Sequence, residues 1–336
     1  MSIDFPSLAR IIATLTVVTG LAVAQSAPAA EPAPKKVAIL LFNDVEIIDY
    51  TGPWEVFGAD GFEVFTVSAS TAPITTSMGM KVVPNFSYAN APQADVVLIP
   101  GGGVHDVQGD PATLDWIRQQ SAHAEHVMSV CNGSFTLAST GLLKGLKSTS
   151  TSGNIDLMRK RYPEVDVVRD QRVVDNGKFL STGGLSAGID GALHLVSVMR
   201  GHGEAQYVAQ LLEYNWQPDG GFLPANSAFH ALPMMMDHNV AGFATIDSVV
   251  STSGDKLTWK SVYTVSSALS DSELRERLVK GYAIPQDAMI ADADPRNSSW
   301  KFVDSDGMAW KATLAVSSIS GSAGLHLVAI GVARSG

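Results

Sequence analysis

The chain has 336 residues, a formal charge of −10 and 46% hydrophobic residues. That length and apolar content suit two domains, each with a buried core. The acidic balance argues against nucleic acid, whose phosphates call for Lys and Arg, and against an anionic membrane surface.

At the N-terminus, Ile11 to Ala24 is nearly continuous apolar sequence. The run has the length of a signal-peptide core and is short for a bilayer span. Arg10 precedes it, and Ala22-Val23-Ala24 supplies a small-x-small cleavage site. Residues 1–24 are expected to be an export signal, and 25–36, rich in Ala and Pro, a leader. The mature protein is then expected in the periplasm or outside the cell, with no stable membrane anchor after cleavage. Cys131 is the sole cysteine, so no intramolecular disulfide can form. An unpaired thiol in an oxidising compartment has to be buried or used.

Val37 to Phe42 reads as a strand buried on both faces. A helix is expected from Thr51, as cap, through Ala59, with Pro53 in its first turn. Phe62 to Val67 reads as a second strand, and Val82 to Phe86, with the preceding Ile74 to Met78, as a small hairpin excursion. Val96 to Pro100 is a buried strand closed by Gly101-Gly102-Gly103. Helices follow at Pro111–Ser121, Gly133–Thr140 and Asn154–Tyr162, with a strand at His126–Val130. Short strands are expected at Val165–Val168, Arg172–Asp175 and Phe179–Ser181, with an Asn176-Gly177 turn. Ala187–Met199 and Ala205–Tyr214 are apolar-periodic helices. Strands alternating with helices imply an α/β fold, a parallel sheet covered on both faces. Sites in such sheets form beyond the carboxyl ends of the strands.

Pro218-Asp219-Gly220-Gly221 and Pro224 mark a boundary. The expected organisation is a catalytic-type domain over 37–217, a linker over 218–225 and a small C-terminal α+β domain over 226–336. In the last, Leu257 to Val265 alternates like a strand and Asp271 to Lys280 reads as a helix capped by Asp271-Ser272. Lys301–Val303 and Trp310–Val316 flank an Asp306-Gly307 hairpin turn, and Leu325–Val332 is a final strand. This segment is expected to fold separately and to supply no catalytic group.

Ser129-Val130-Cys131-Asn132-Gly133-Ser134 puts a thiol on a sharp turn between a buried strand and a helix. A nucleophile elbow has this logic, with Gly133 giving room. The helix dipole behind the sulfur is expected to favour thiolate. Asp49 lies where an apolar strand gives way to a helix, in surroundings that raise a carboxyl pKa, so it can act as an acid toward substrate. The amides of Gly101, Gly102 and Gly103 are candidates for an oxyanion hole. The glycines lack the spacing of a dinucleotide site and the lysine of a phosphate loop. No His, Cys, Asp or Glu set has metal-ligand spacing, so neither a metal nor a cofactor is expected. The Asp292, Asp294 and Asp304, Asp306 pairs read as solvated loops and Met234-Met235-Met236 as packing.

These residues carry a resemblance. Asp49-Tyr50-Thr51-Gly52-Pro53-Trp54-Glu55-Val56-Phe57, Ile99-Pro100-Gly101-Gly102, the Cys131 segment with Gly141-Leu142-Leu143, and Thr182-Gly183-Gly184 with Ala187-Gly188-Ile189-Asp190 resemble the ThiJ/PfpI superfamily in order and spacing. The resemblance spans Lys36 to Trp216 and is nearest to the isonitrile hydratase branch. It implies a flavodoxin-like sandwich, Cys131 as the nucleophile or redox thiol and Asp49 as its carboxyl partner. It also suggests a homodimer.

Two departures stand out. Isonitrile hydratases usually carry Thr after the cysteine, where this chain has Asn132, expected to orient substrate with the glycine loop. Many superfamily members place His where this chain has Thr151. Thr151 and His105 are therefore the further candidates, His105 as a stand-in imidazole. The leading expectation is hydration of a small isonitrile, R–N≡C, through a thioimidate on Cys131. The alternatives are a glyoxalase-type reaction on small reactive carbonyls, and a non-catalytic ligand-binding or redox-sensing role.

Overall fold

The computed structural model describes residues 33–219, 227–233, 235 and 240–335. The expected export signal, residues 25–32 of the leader, residues 220–225 of the linker, and Met234 and Met236 lie outside the described residues.

The strands of the first domain are β1 (Lys36–Leu40), β2 (Glu63–Ser68), β3 (Ile74–Thr75), β4 (Lys81–Val82), β5 (Phe86–Ser87), β6 (Val96–Ile99), β7 (His126–Ser129), β8 (Lys147–Ser148), β9 (Asp166–Val167), β10 (Val173–Asp175) and β11 (Phe179–Thr182). Seven of them form one sheet in the order β10-β11-β7-β6-β1-β2-β5. Its neighbours are parallel except β10 and β11. Val37–Leu40 and Val96–Ile99 are fully buried, as central parallel strands covered on both faces must be. The helices are α1 (Ile47–Ala59), α2 (Pro111–His123), α3 (Gly133–Ser139), α4 (Ile155–Arg161), α5 (Ala187–Arg200) and α6 (His202–Leu211). α1, α5 and α6 pack on one another, and α2 packs on α3. The fold is the expected α/β, flavodoxin-like sandwich.

One boundary differs in a way that matters. α1 begins at Ile47, with Glu46 in the cap position, not at Thr51. The Thr51 hydroxyl donates back to the Ile47 carbonyl at 2.8 Å. Pro53 lies inside the helix, where it has no N–H to give the carbonyl one turn back. Asp49 is thereby placed in the first turn of α1, on its buried side.

Beyond residue 240, β12 (Thr245–Gly254), β13 (Thr258–Ser266), β14 (Met289–Ile290), β15 (Asn297–Val303), β16 (Ala309–Ser318) and β17 (Leu325–Arg334) form a second sheet in the order β12-β13-β17-β16-β15-β14. All its pairs are antiparallel. Helix α7 (Asp271–Gly281) packs against it. Leu274 and Leu278 of α7 share a core with Val265, Trp300, Trp310, Leu314 and Ile330. The cap of α7 is Ser270, in a reciprocal capping box with Glu273, and not Asp271-Ser272. β12 has no counterpart in the sequence reading. It is an edge strand with nearly every residue exposed, so it lacks the apolar alternation that marks a half-buried strand.

The two sheets have separate cores, and charged groups join them. Asp306, in the β15–β16 turn, accepts from Arg159 at 2.7 Å and from Arg169 at 2.6 Å. Arg169 also reaches Asp156 and Ser305.

Candidate active site

Cys131 sits between β7 and α3 with φ of 59°, a left-handed conformation that costs a side chain about 1–2 kcal/mol. Three bonds hold it there. Its N–H donates to the Gly183 carbonyl at 3.0 Å, and its carbonyl accepts from the Ser134 and Ser150 hydroxyls, each at 3.0 Å. Gly133 allows α3 to start close under the end of β6. A Cβ there would fall 2.2 Å from the Ile99 carbonyl oxygen.

Asp49 is fully buried. The Gly101 N–H donates to its Oδ2 at 3.0 Å and the Leu185 N–H to its Oδ1 at 2.9 Å. Its carboxyl lies beside Cys131, and the two groups act on each other's titration. Burial raises the Asp49 pKa to about 6, and the two amides, Leu185 before Gly101, restrain the rise. Burial likewise pushes the Cys131 thiol up to about 12, with the Asp49 charge second; the Asn132 N–H and the Thr151 hydroxyl act in the opposite sense. The expectation of a helix-stabilised thiolate is thus overturned. α3 has seven residues, and a short dipole does not outweigh desolvation beside a carboxylate. Near neutral pH the pair rests as thiol and carboxylate.

The glycine loop also differs from expectation. Gly101 donates to Asp49, Gly102 to the Asn132 side chain at 2.8 Å and Gly103 to the Asp44 carbonyl at 2.8 Å. An N–H has one proton to give, so these amides are committed to the protein and do not form an open oxyanion hole. Asn132 returns the bond, its Nδ2 donating to the Gly102 carbonyl at 2.8 Å. Asn132 therefore clamps the loop instead of facing substrate. Thr151 is brought to the site: its Oγ1 and the Cys131 Sγ each lie 3.1 Å from where a Cβ on Gly184 would be. His105 is not. Its side chain is exposed and its Nδ1 is 3.3 Å from the Asp106 carboxylate.

Beside the pair opens a cleft of about 320 Å³, lined by Thr149–Ser152, Gly183–Ser186, Arg169, Gln171, Arg172 and Phe229. Phe229 belongs to the segment beyond the expected linker, so that part of the chain supplies a wall of the cleft. Leu185 has φ of 55°, which marks a constrained position at a site. Nothing in its residue type signals a role, because the group that matters is a backbone amide. Arg172 and Phe229 carry no motif either.

His230, Asp304 and Asp306 have ligating atoms within 4.8 Å of one another, a grouping that sequence spacing conceals. Asp304 accepts from the Trp310 indole and from backbone amides, and two guanidiniums hold Asp306. Those cations oppose a metal, and the group reads as part of the junction between the sheets.

The profile of the DJ-1/PfpI family matches residues 35–197. The isonitrile hydratase of Pseudomonas putida is 37% identical over 182 residues, 53% of this chain and 78% of that protein. This chain belongs to the DJ-1/PfpI family. Within the family, a deglycase of Pyrococcus horikoshii is 30% identical over 150 residues, covering 44% of this chain and 89% of that protein. The crystal structure of a ThiJ/PfpI family protein from Pseudomonas syringae superposes with a TM-score of 0.52 at 27% identity, over 59% of this chain and 85% of that one. The family match ends at residue 197, so the antiparallel domain is additional to it.

Proposed function

We propose that this protein is an exported isonitrile hydratase that converts R–N≡C to an N-substituted formamide. The observation that carries the reading is the pairing of the half-buried Cys131 thiol with the fully buried Asp49 carboxylate. The 37% identity to an isonitrile hydratase supports it. The apolar run before residue 25 supports export.

The chemistry needs one nucleophile and one group that moves a proton. As the Cys131 sulfur bonds to the terminal carbon of R–N≡C, the thiol proton passes to Asp49. Asp49 then delivers it to that carbon, giving the thioimidate R–N=CH–S–Cys131. Water adds to the same carbon, with one of its protons going to nitrogen. The C–S bond breaks, R–NH–CHO leaves, and the remaining proton returns to sulfur. No imidazole relay is required. Among the described residues no histidine hydrogen-bonds to Cys131 or Asp49, which weighs against glyoxalase-type shuttling at carbon. A thiol held protonated is also poorly suited to sensing peroxide, a task for thiolates.

The test is formamide production from a panel of small isonitriles by the purified protein. Turnover is expected from wild type and not from Cys131→Ser. Wild-type protein that yields no formamide from any of them, while releasing lactate from methylglyoxal, would replace this reading with the carbonyl one.

A further inference from the structure

The cleft presents cationic donors and hydroxyls, although the chain carries a net charge of −10. Arg169 and Arg172 both line it, together with the side chains of Thr151, Ser152 and Ser186, and no carboxylate does. Arg169 is 8% exposed. The acids that neutralise these arginines lie outside the lining. Asp306 and Asp156 hold Arg169, and Asp190 holds Arg172, which also donates to Ser186 at 2.9 Å. The bonds use Nε and Nη2. Among the described residues Nη1 of Arg169 makes no hydrogen bond, and Arg172 also lies against the Tyr214 hydroxyl, so each arginine is fixed from behind and Arg169 keeps donors to give. Phe229 is the aromatic side of the same cleft, and 320 Å³ is at the small end of the usual range for ligand pockets, about 300–1,000 Å³.

We infer that the substrate is a small molecule bearing an anionic group of the carboxylate class, held by Arg172 and Arg169, with its carbon skeleton against Phe229. This rests on the isonitrile hydratase reading for the reaction and adds the nature of R. A guanidinium with fixed orientation matches a carboxylate through paired N–H donors. The distribution of charge suits such a molecule: the Asp49 carboxylate lies behind Leu185, outside the lining, so the anion belongs with the arginines and the uncharged reacting carbon toward Cys131. The C-terminal domain takes part directly. It supplies Phe229, and its Asp306 and Ser305 orient Arg169.

Alkylation of Cys131 tests the charge preference without any assumption about turnover. Iodoacetate and iodoacetamide are nearly the same size, form the same S–C bond and release the same iodide. Only the first is an anion. The ratio of their rate constants on the full-length protein, divided by the ratio on free glutathione, reports the field of the cleft. The expected normalised ratio is roughly three- to ten-fold above one. It should fall toward one in Arg172→Gln and, in wild type, as ionic strength rises from about 50 to about 300 mM. A wild-type ratio at or below one at low salt overturns the inference, and this needs no variant to fold. If anion preference is found and no isonitrile yields formamide, the reaction is wrong and the cleft assignment stands. If formamide forms and the ratio is at or below one, the cleft assignment alone fails.

Discussion

Asp49 and Cys131 form one titrating unit, and its chemistry depends on where its single proton sits. Asp49 has to be ionised to accept the thiol proton, so protonation near its raised pKa of about 6 removes the base. Iodoacetamide labelling and isonitrile turnover are both expected to rise with pH through about 6 and then to run level, because the thiol is pushed up to about 12. In Asp49→Asn the limb near 6 should vanish, and kcat/KM should drop by about 10²- to 10⁴-fold, the usual worth of a positioned acid–base group. The thiol pKa should fall as well, since the neighbouring charge that lifts it is gone. A limb near 6 that persists in Asp49→Asn would assign the titration to another group. The same shift has a consequence for stability. The folded-state pKa lies above the ordinary 3.8, so the contribution of Asp49 is fully present below that value and is lost as pH rises through about 6. The site holds an ionised carboxylate near neutrality at a cost to the fold.

At the scale of elements, the parallel strands and the elbow were legible because their signals are local. Apolar runs of strand length mark buried strands, and Cys131-Asn132-Gly133 joins the end of one to the start of a helix. The entry to α1 was misread because Thr51-Gly52-Pro53 imitates a capped helix start. The Pro is instead tolerated inside the helix, and that places Asp49 in its first turn, on the buried face. The glycine loop was misread for a related reason. A glycine in a sequence tells of space, while its amide direction is set by the partner that arrives from elsewhere. Gly101 shows what the space is for. A Cβ there would lie 2.3 Å from the Asn132 Oδ1 and 2.8 Å from both the Asp49 Oδ2 and the Cys131 Cβ. Gly101→Ala is therefore expected to keep the fold, by far-UV circular dichroism, and to lose turnover by about ten-fold or more, because small displacements of reacting groups are costly. Gly109→Ala, whose new Cβ meets nothing within 4 Å, serves as the control and should match wild type. Equal activity in the two variants would mean that loop packing does not set the geometry of the pair.

At the scale of the whole molecule, the sequence reading separated the two domains too cleanly. A proline- and glycine-rich boundary and a change of strand pattern predict separate cores, which the structure has, but they carry no information about side chains that meet across the boundary. Arg159 and Arg169 reach Asp306, and Phe229 reaches the cleft. Asp306→Ala removes the shared acceptor and leaves Arg169, nearly buried, with Asp156 and Ser305. Hydrogen bonds to a charged group are worth about 1.5–3 kcal/mol when buried, and partial exposure of Asp306, 30%, reduces that toward about 1 kcal/mol. For domains of this size about 1 kcal/mol moves a melting midpoint by roughly 2–4 °C. Calorimetry of the full chain is expected to show Asp306→Ala melting a few degrees below wild type. Its iodoacetate preference should also weaken, because Arg169 loses the group that orients it. The two readouts distinguish a junction that supports the cleft from one that only joins domains. A lowered midpoint with unchanged alkylation preference would reduce the contact to a structural tie. An unchanged midpoint would show that the second domain rides on the first without energetic coupling, and the part given to it in the cleft would then rest on Phe229 alone.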